Sequence, residues 1–232
     1  MKFNKKIYAM IFARSGSKGI INKNLKKING KPLLFYSIDI AKKFKNIEKI
    51  FVSTDSLAIS KKSKKYGAIV PFKRPRNLAQ DNSDEWLAWK HLCNFLKKKN
   101  DLPDILISLP TTSPLRSYSD VKNALIKFIK NKKSDILITA RESVRNPYFN
   151  MIEINNRGFA QIVINRNIKN RQQAPNVYDV TTSAYVTTPN YILRNKNMFV
   201  GNVDVLKVPK ERSLDIDDKF DLKIAKILMK KK

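Results

Sequence analysis

The chain has 232 residues, 42% of them hydrophobic, which is enough to bury the core of one medium-sized domain and excludes a wholly disordered chain. Its net charge of +28 would suit a nucleic-acid binder. The lysines are spread along the chain, however, so we expect a solvated basic surface without a dedicated nucleic-acid partner. Cys93 is the single cysteine and excludes an internal disulfide, and no stretch approaches the roughly 18 apolar residues of a membrane span. We therefore expect a cytoplasmic protein with no membrane partner.

Apolar runs alternate with helical periodicity through the first 140 residues. The predicted strands are Ile7–Ala13, Ile50–Ser53, Ala68–Phe72, Asp104–Leu109 and Asp135–Thr139. The predicted helices are Pro32–Lys45, one that is capped by Thr54 or Asp55 and ends at Tyr66, one that starts at Ser83 or Asp84, and one that is capped by Ser119. This alternation predicts a doubly wound α/β fold with a mostly parallel sheet, in which ligands bind at the carboxyl ends of the strands.

The pattern changes after about residue 141. Pro147–Ile154 and Phe159–Ile164 flank a turn at Asn155–Gly158, which predicts an antiparallel pair of strands. We interpret residues 141–177 as a small antiparallel insertion that projects from a single domain spanning residues 1–232. After the insertion, the predicted elements are strands at Val180–Thr187 and Val203–Val208, and a helix from Asp217 or Asp218 to Met229.

A cationic loop, Ala13–Asn24, follows the first predicted strand. Its glycines let backbone N–H groups turn inward, Ser17 adds a hydroxyl donor, and Arg14, Lys18 and Lys23 supply positive charge. These groups are suited to holding a triphosphate. The loop has neither the Walker A pattern nor the GxGxxG dinucleotide pattern, and an ordinary basic surface loop is the alternative interpretation.

Two acidic residues near the carboxyl end, Asp215 and Asp217, are two positions apart, so in extended backbone they point the same way. A pair of carboxylates opposite a cationic phosphate loop indicates a Mg²⁺ site, because Mg²⁺ typically takes one or two carboxylates plus phosphate oxygens. The competing interpretation is helix capping, since Asp217 or Asp218 starts the last predicted helix.

Two further polar segments are candidate binding sites. Thr111–Arg116 follows a buried strand, where ligands bind in this fold, although a turn before the next helix explains it equally well. Arg171, Gln172 and Gln173 combine a guanidinium with two amides, which suits a carboxylate and hydroxyls, and a polar loop is the alternative. The only histidine, His91, lies in the middle of a predicted helix, and zinc-type Cys/His spacing is missing, so no Ser-His or zinc site is indicated.

Seven motifs occur in order along nearly the whole chain: Ala13–Asn24, Gly30–Leu33, Val52–Asp55, Arg74–Asp81, Thr112–Arg116, Arg171–Pro175 and Ser213–Asp217. Together they resemble the acylneuraminate (CMP-sialic acid) cytidylyltransferase family. The segment Arg145–Asn150 is most similar to members that activate bacterial relatives of sialic acid, such as legionaminic acid.

The resemblance implies a nucleotide-diphospho-sugar transferase-like fold and a Mg²⁺-dependent nucleotidyltransferase. Such an enzyme transfers CMP from CTP to the anomeric hydroxyl of a nonulosonic acid and releases pyrophosphate. The resemblance also implies a homodimer in which the insertion pairs two protomers and reaches the partner's site. For the nucleotide, it assigns the CTP phosphates to Arg14, Ser17, Lys18 and Lys23, the ribose and cytosine to Asn24 and Arg74, and further contacts to Ala13 and Ser83. It assigns Mg²⁺ to Asp215 and Asp217. It assigns the sugar to Thr111, Arg171, Gln172 and Gln173. Its catalytic candidates are Arg14, Lys18, Lys23 and Asp217.

Two departures from the family pattern lie where the sugar should bind. Pro110-Thr111 stands where sialic-acid enzymes usually have Gln-Pro, and Thr181-Thr182 stands where they often have Asn-Gly or Asn-Ala. They leave the nucleotide chemistry intact and leave the identity of the sugar open.

Two alternatives compete with this interpretation. A CMP-Kdo synthetase has a similar start, but Lys23-Asn24 argues against it because that family reads more like S-x-R-L-P-G-K-P-L in the loop. A basic nucleic-acid-binding protein needs cations clustered with exposed aromatics. Here Trp86, Trp89 and Phe128 lie on stripes that are predicted to face the core.

Overall fold

The computed structural model describes residues 4–230. In chain order its strands are β1 (Ile7–Phe12), β2 (Lys27–Ile28), β3 (Lys31–Pro32), β4 (Ile47–Ser53), β5 (Ile105–Ser108), β6 (Ile136–Glu142), β7 (Ile152–Ile154), β8 (Ala160–Ile162), β9 (Tyr178–Thr187) and β10 (Val203–Lys207). Its α-helices are α1 (Leu33–Lys42), α2 (Leu57–Lys65), α3 (Glu85–Lys98), α4 (Tyr118–Lys130), α5 (Pro189–Arg194) and α6 (Lys219–Lys230). Single turns of 3-10 helix lie at Lys23–Leu25, Arg76–Leu78, Arg171–Gln173 and Lys210–Arg212.

Six strands form the central sheet in the order β10-β6-β9-β5-β1-β4. β1 runs parallel to β4 and β5, and β10 runs parallel to β6. β9 lies between β5 and β6 and is antiparallel to both. The predicted doubly wound, mostly parallel α/β fold with small antiparallel strands is confirmed.

Hydrophobic side chains cover both faces of this sheet. In β1, Ile7, Ala9 and Ile11 pack against the α1 and α4 side, whereas Tyr8 and Met10 pack against α3. Both sets of side chains are buried because helices lie on both faces, which is why the strand is a continuous apolar run. Trp86 and Trp89 of α3 and Phe128 of α4 face the core as predicted: the exposed fractions are 3% for Trp86, 1% for Trp89 and 7% for Phe128.

Three of the predicted local features are wrong. Ala68–Phe72 is not a strand and makes only isolated bridges beside β4, at Ile69 and at Lys73 just beyond the segment, because Pro71 has no N–H group to donate to a ladder. Helix α2 is capped by Ser56 and not by Thr54 or Asp55. Helix α4 is capped by Ser117 and not by Ser119, because Ser117 and Asp120 form a reciprocal capping box.

The insertion contains a short hairpin. β7 and β8 pair antiparallel, as predicted, but are three residues each and so shorter than the predicted strands. Gly158 supplies a positive φ of 82° in the connecting turn. The apolar side chains of the hairpin face solvent, with exposed fractions of 59% for Ile152, 70% for Ile154 and 69% for Phe159. Across residues 4–230, no helix combines the length and apolar character needed to cross a membrane.

Candidate active site

A cleft of about 520 Å³ lies at the carboxyl ends of β1 and β5. Its walls are the cationic loop after β1, the segment that precedes α3, the end of β5 and the acidic segment that precedes α6. The predicted site residues that line it are Arg14, Ser17, Lys18, Lys23, Asn24, Arg74, Ser83, Thr111 and Asp217. The fold therefore brings residues from both ends of the chain into one cavity.

Two hydrogen bonds from Lys23 and a close backbone approach at Gly19 join the cationic loop to the acidic segment. Lys23 Nζ donates to the Ile216 carbonyl at 2.8 Å and to Asp217 Oδ1 at 3.1 Å. The Ile216 N–H donates to the Thr112 carbonyl at 2.9 Å, which ties the acidic segment to the end of β5. Gly19 lies so close to Asp217 that a Cβ at residue 19 would be 2.2 Å from the Asp217 carbonyl oxygen.

Helix capping is assigned to Asp218 and not to Asp217. Asp218 Oδ1 accepts from the N–H groups of Phe220 at 2.7 Å and Asp221 at 2.9 Å, at the start of α6. The side chain of Asp217 is exposed and contacts Lys23, so its carboxylate is available to a ligand in the cleft.

The other two cations of the loop share the carboxylate of Asp81. Arg14 Nη1 donates to Asp81 Oδ1, and Lys18 Nζ lies 3.8 Å from Asp81 Oδ2. The hydrogen bond from Arg14 holds the pKa of Asp81 below its usual value. The Lys18 side chain is 83% exposed, so it can turn toward a phosphate at little cost. An anionic ligand would replace Asp81 as the partner of Arg14 and Lys18.

Partly buried and buried hydrogen bonds fix the base of the loop. The Ser15 N–H donates to Asp55 Oδ1 at 2.8 Å, and the Ser15 hydroxyl donates to the other oxygen. Burial alone would raise the pKa of Asp55, but the bonds from Ser15 hold it below the usual value. Asn24 is buried, donates to the Arg14 carbonyl at 2.8 Å and accepts from the Thr111 hydroxyl. The loop is therefore anchored both to the end of β4 and to the end of β5.

Arg74 is buried beside the cleft. Its Nε donates to the Ser53 hydroxyl at 3.0 Å, and its guanidinium lies 5.6 Å from the centre of the Phe12 ring. Burial lowers the pKa of Arg74 to about 10, so the side chain is still cationic at neutral pH. The backbone N–H of Ala13 donates to the Ser53 carbonyl at 3.1 Å. The Ser83 hydroxyl donates to the Asn77 carbonyl at 2.7 Å and lies at the rim.

Asp215 is half-buried, and its Oδ1 is a buried oxygen without a hydrogen-bond partner among the described residues. Burial raises the pKa of Asp215, as does the nearby charge of Asp217, while hydrogen bonds from Thr112 and Thr182 oppose the rise. Within residues 4–230 no cluster of three or more His, Cys, Asp or Glu side chains has metal-binding geometry. Asp217 lines the cleft and Asp215 is two residues before it, so this pair of carboxylates beside a cationic loop nevertheless has the ligand chemistry of Mg²⁺, which takes one or two carboxylates plus other oxygens.

Arg171, Gln172 and Gln173 lie away from the cleft. They form an exposed 3-10 turn in the insertion, and Arg171 lines a separate polar pocket of about 230 Å³ together with Asn146 and Lys207. The structure therefore does not bring the predicted sugar-binding residues of the insertion to the cleft of the same chain.

Among the cleft residues that had no role in the sequence-based assignment, two are acidic, Asp81 and Glu85. Asp81 ends the Arg74–Asp81 motif, and its contact with Arg14 depends on tertiary structure. Glu85 is the first residue of α3, where an acidic residue is explained by the helix dipole alone.

Comparison with known proteins decides the family. A family model described as cytidylyltransferase matches residues 8–201. The chain belongs to the cytidylyltransferase family. The resemblance to cytidylyltransferases that was inferred from the motifs is thereby confirmed, and the protein is a nucleotidyltransferase.

Relatives of this cytidylyltransferase match over nearly its whole length. It is 37% identical to CMP-N,N'-diacetyllegionaminic acid synthase from Campylobacter jejuni, over 96% of this chain and 94% of the relative. It is 36% identical to post-translational flagellin modification protein B from Campylobacter coli, over 97% and 96%. The structure of a CMP:2-keto-3-deoxy-manno-octonic acid (Kdo) synthetase complexed with CTP superposes with a TM-score of 0.71, covering 97% of this chain and 99% of that one. At 16% identity this likeness shows the fold alone.

Proposed function

We propose that this enzyme transfers CMP from CTP to the anomeric hydroxyl of a nonulosonic acid and releases pyrophosphate. The observation that carries the proposal is the contact between the cationic loop and the acidic segment around one cleft, through Lys23 and Asp217. The name of the legionaminic acid synthase favours a legionaminic-type sugar. The Kdo synthetase shares the fold at 16% identity, so it does not favour the eight-carbon sugar. Since CTP is the proposed donor, we place the reaction in the cytoplasm.

In this proposal the protein positions the two substrates and neutralises charge. The sugar hydroxyl gives its proton to solvent water, its oxygen attacks the α-phosphorus in line, and the bond from that phosphorus to the pyrophosphate oxygen breaks. Arg14, Lys18 and Lys23 neutralise the charge that builds up on the leaving pyrophosphate. Asp215 and Asp217 would hold Mg²⁺, whose chemistry is to polarise the phosphate oxygens. Asn24 and Arg74 hold the ribose and cytosine, with Ala13, Ser17 and Ser83 as further nucleotide contacts and Thr111 on the sugar side.

The deciding experiment is pyrophosphate release from each of the four NTPs with a panel of nonulosonic acids and Kdo. We expect release only with CTP and a nonulosonic acid, and loss of release in Asp217→Ala with an unchanged circular dichroism spectrum, because the Asp217 side chain is exposed. Pyrophosphate release from CTP with Kdo, but with none of the nonulosonic acids, would support the eight-carbon alternative. Retention of turnover in Asp217→Ala would remove the metal assignment.

We further propose a homodimer formed by the insertion, residues 141–177. The support is the set of exposed apolar side chains on the β7–β8 hairpin, which a second copy would cover. Arg171, Gln172 and Gln173 would then contact the sugar in the partner's cleft. Ile154→Glu tests this in two measurements. We expect light scattering to show a monomer, and we expect steady-state kinetics to show a raised KM for the sugar. An Ile154→Glu protein that stays dimeric would refute the assignment of this surface.

A further inference from the structure

Three acidic side chains line the cleft within residues 4–230, and one of them has no cationic partner. Asp81 is paired with Arg14 and Lys18, and Asp217 is paired with Lys23. Glu85 makes no ion pair among the described residues, and its one hydrogen bond accepts from Trp89 Nε1 at 3.0 Å. A cleft that is otherwise suited to phosphates therefore holds one uncommitted carboxylate.

Glu85 belongs to the aromatic part of the cleft. Its hydrogen-bond donor Trp89 stacks on Phe12, with ring centres 6.0 Å apart and an angle of 14° between the ring planes. The Arg74 guanidinium lies 5.6 Å from the centre of the Phe12 ring. Burial raises the pKa of Glu85, whereas the hydrogen bond from Trp89 and the charge of Arg74 favour its ionised form. Glu85 therefore contacts the Trp89 end of this stacked pair, and Arg74 contacts the Phe12 end.

We infer that Glu85 is a specificity-determining residue that selects cytosine over uracil by accepting a hydrogen bond from the 4-amino group. The inference deepens the proposed function and rests on it. An ionised carboxylate only accepts hydrogen bonds, and a guanidinium only donates them. The O2 atom is an acceptor in both pyrimidines, so Arg74 cannot distinguish them. At position 4, cytosine offers an amino donor and uracil offers a carbonyl acceptor, which a carboxylate would repel.

Glu85→Gln is the sharpest test, because it keeps the size of the side chain and an oxygen that accepts from Trp89, while its amide can donate to the uracil carbonyl. Glu48→Gln is the matched control: Glu48 is exposed near the start of β4, at the end of the strand opposite the cleft. The measurement is kcat/KM for pyrophosphate release from CTP, UTP and dCTP at saturating sugar, with thermal melts to confirm folding.

We expect Glu85→Gln to reduce the preference for CTP over UTP by about 10-fold or more, the usual effect of a hydrogen bond to a charged group. Glu48→Gln should keep the wild-type ratio, and Glu85→Ala should also lose preference for CTP. An unchanged CTP/UTP ratio in both Glu85 variants would overturn the inference. So would a change confined to the CTP/dCTP ratio, which would place the carboxylate on the ribose. Absence of CTP turnover in the wild-type protein would instead refute the proposed function.

Discussion

Alanine at position 19 tests whether catalysis requires the cationic loop to touch the acidic segment. The added Cβ would lie 2.2 Å from the Asp217 carbonyl oxygen and 3.2 Å from its carbonyl carbon. Since comfortable contact between heavy atoms begins near ~3.5 Å, the two segments must separate by roughly 1 Å. The φ of Gly19 is not in the left-handed region, so alanine brings only this steric conflict.

The expected loss follows from that displacement. Misplacing reacting groups by about 1 Å costs on the order of 10²-fold in rate. Overpacking costs about 1–3 kcal/mol of folding free energy. In a chain of this size each kcal/mol lowers Tm by roughly 2–4 °C. Gly19→Ala should therefore fold, melt somewhat earlier and lose most of its turnover.

Steady-state pyrophosphate release gives the readout, and Gly16→Ala is the matched control. A Cβ on Gly16 would meet only Arg14 Nη1 at 3.7 Å, which is ordinary contact, and Gly16 is not one of the residues that line the cleft. We expect near-wild-type kcat/KM for Gly16→Ala. Equal turnover in the two variants would refute the reasoning, because the segments could then separate without consequence.

Three further results are expected. Lys18→Ala should lower kcat by ~10²–10³-fold in steady-state kinetics. A thermal melt should show an unchanged Tm, because the Lys18 side chain is 83% exposed. Burial alone would raise the pKa of Asp120, but hydrogen bonds from Arg212 at 2.8 and 2.9 Å lower it, so the pair stabilises the fold above the unfolded-state pKa. Asp120→Asn should thus lower Tm at pH 7, and the difference should shrink as the pH falls through the folded-state pKa. Burial raises the pKa of the Cys93 thiol to about 12, so iodoacetamide should label it only after unfolding, as mass spectrometry will report.

The fold class could be predicted because burial on both faces leaves a local signature. In β1, successive residues from Ile7 to Ile11 are all buried, and this continuous apolar run is visible in the sequence. The antiparallel placement of β9 between β5 and β6 was not predictable. A buried strand is apolar in either direction, so its orientation depends on which neighbours it pairs with.

The site could be predicted as a set of residues but not as a geometry. Arg14, Lys18 and Lys23 lie close together in one loop, so the sequence alone predicts that they bind an anion. The contact of Lys23 with Asp217 joins residues 194 positions apart, and the Ile216–Thr112 hydrogen bond ties the same acidic segment to the end of β5. Local rules also could not decide between Asp217 and Asp218 as the helix cap, because both positions allow an acidic residue.

Thr182, one of the residues that depart from the sialic-acid pattern, contacts Thr112, to which the acidic segment is hydrogen-bonded. The register of β9 against β6 shifts between Ile138 and Thr139, which leaves Thr182 outside the regular pairing. Its hydroxyl lies 2.6 Å from the Ser113 hydroxyl and accepts from Thr112 at 3.2 Å. A glycine or alanine at this position, as the sialic-acid pattern often has, would remove both contacts and a hydroxyl that helps to hold down the pKa of Asp215. We therefore expect Thr182→Ala to change the surroundings of Asp215, the carboxylate that is proposed to hold the metal.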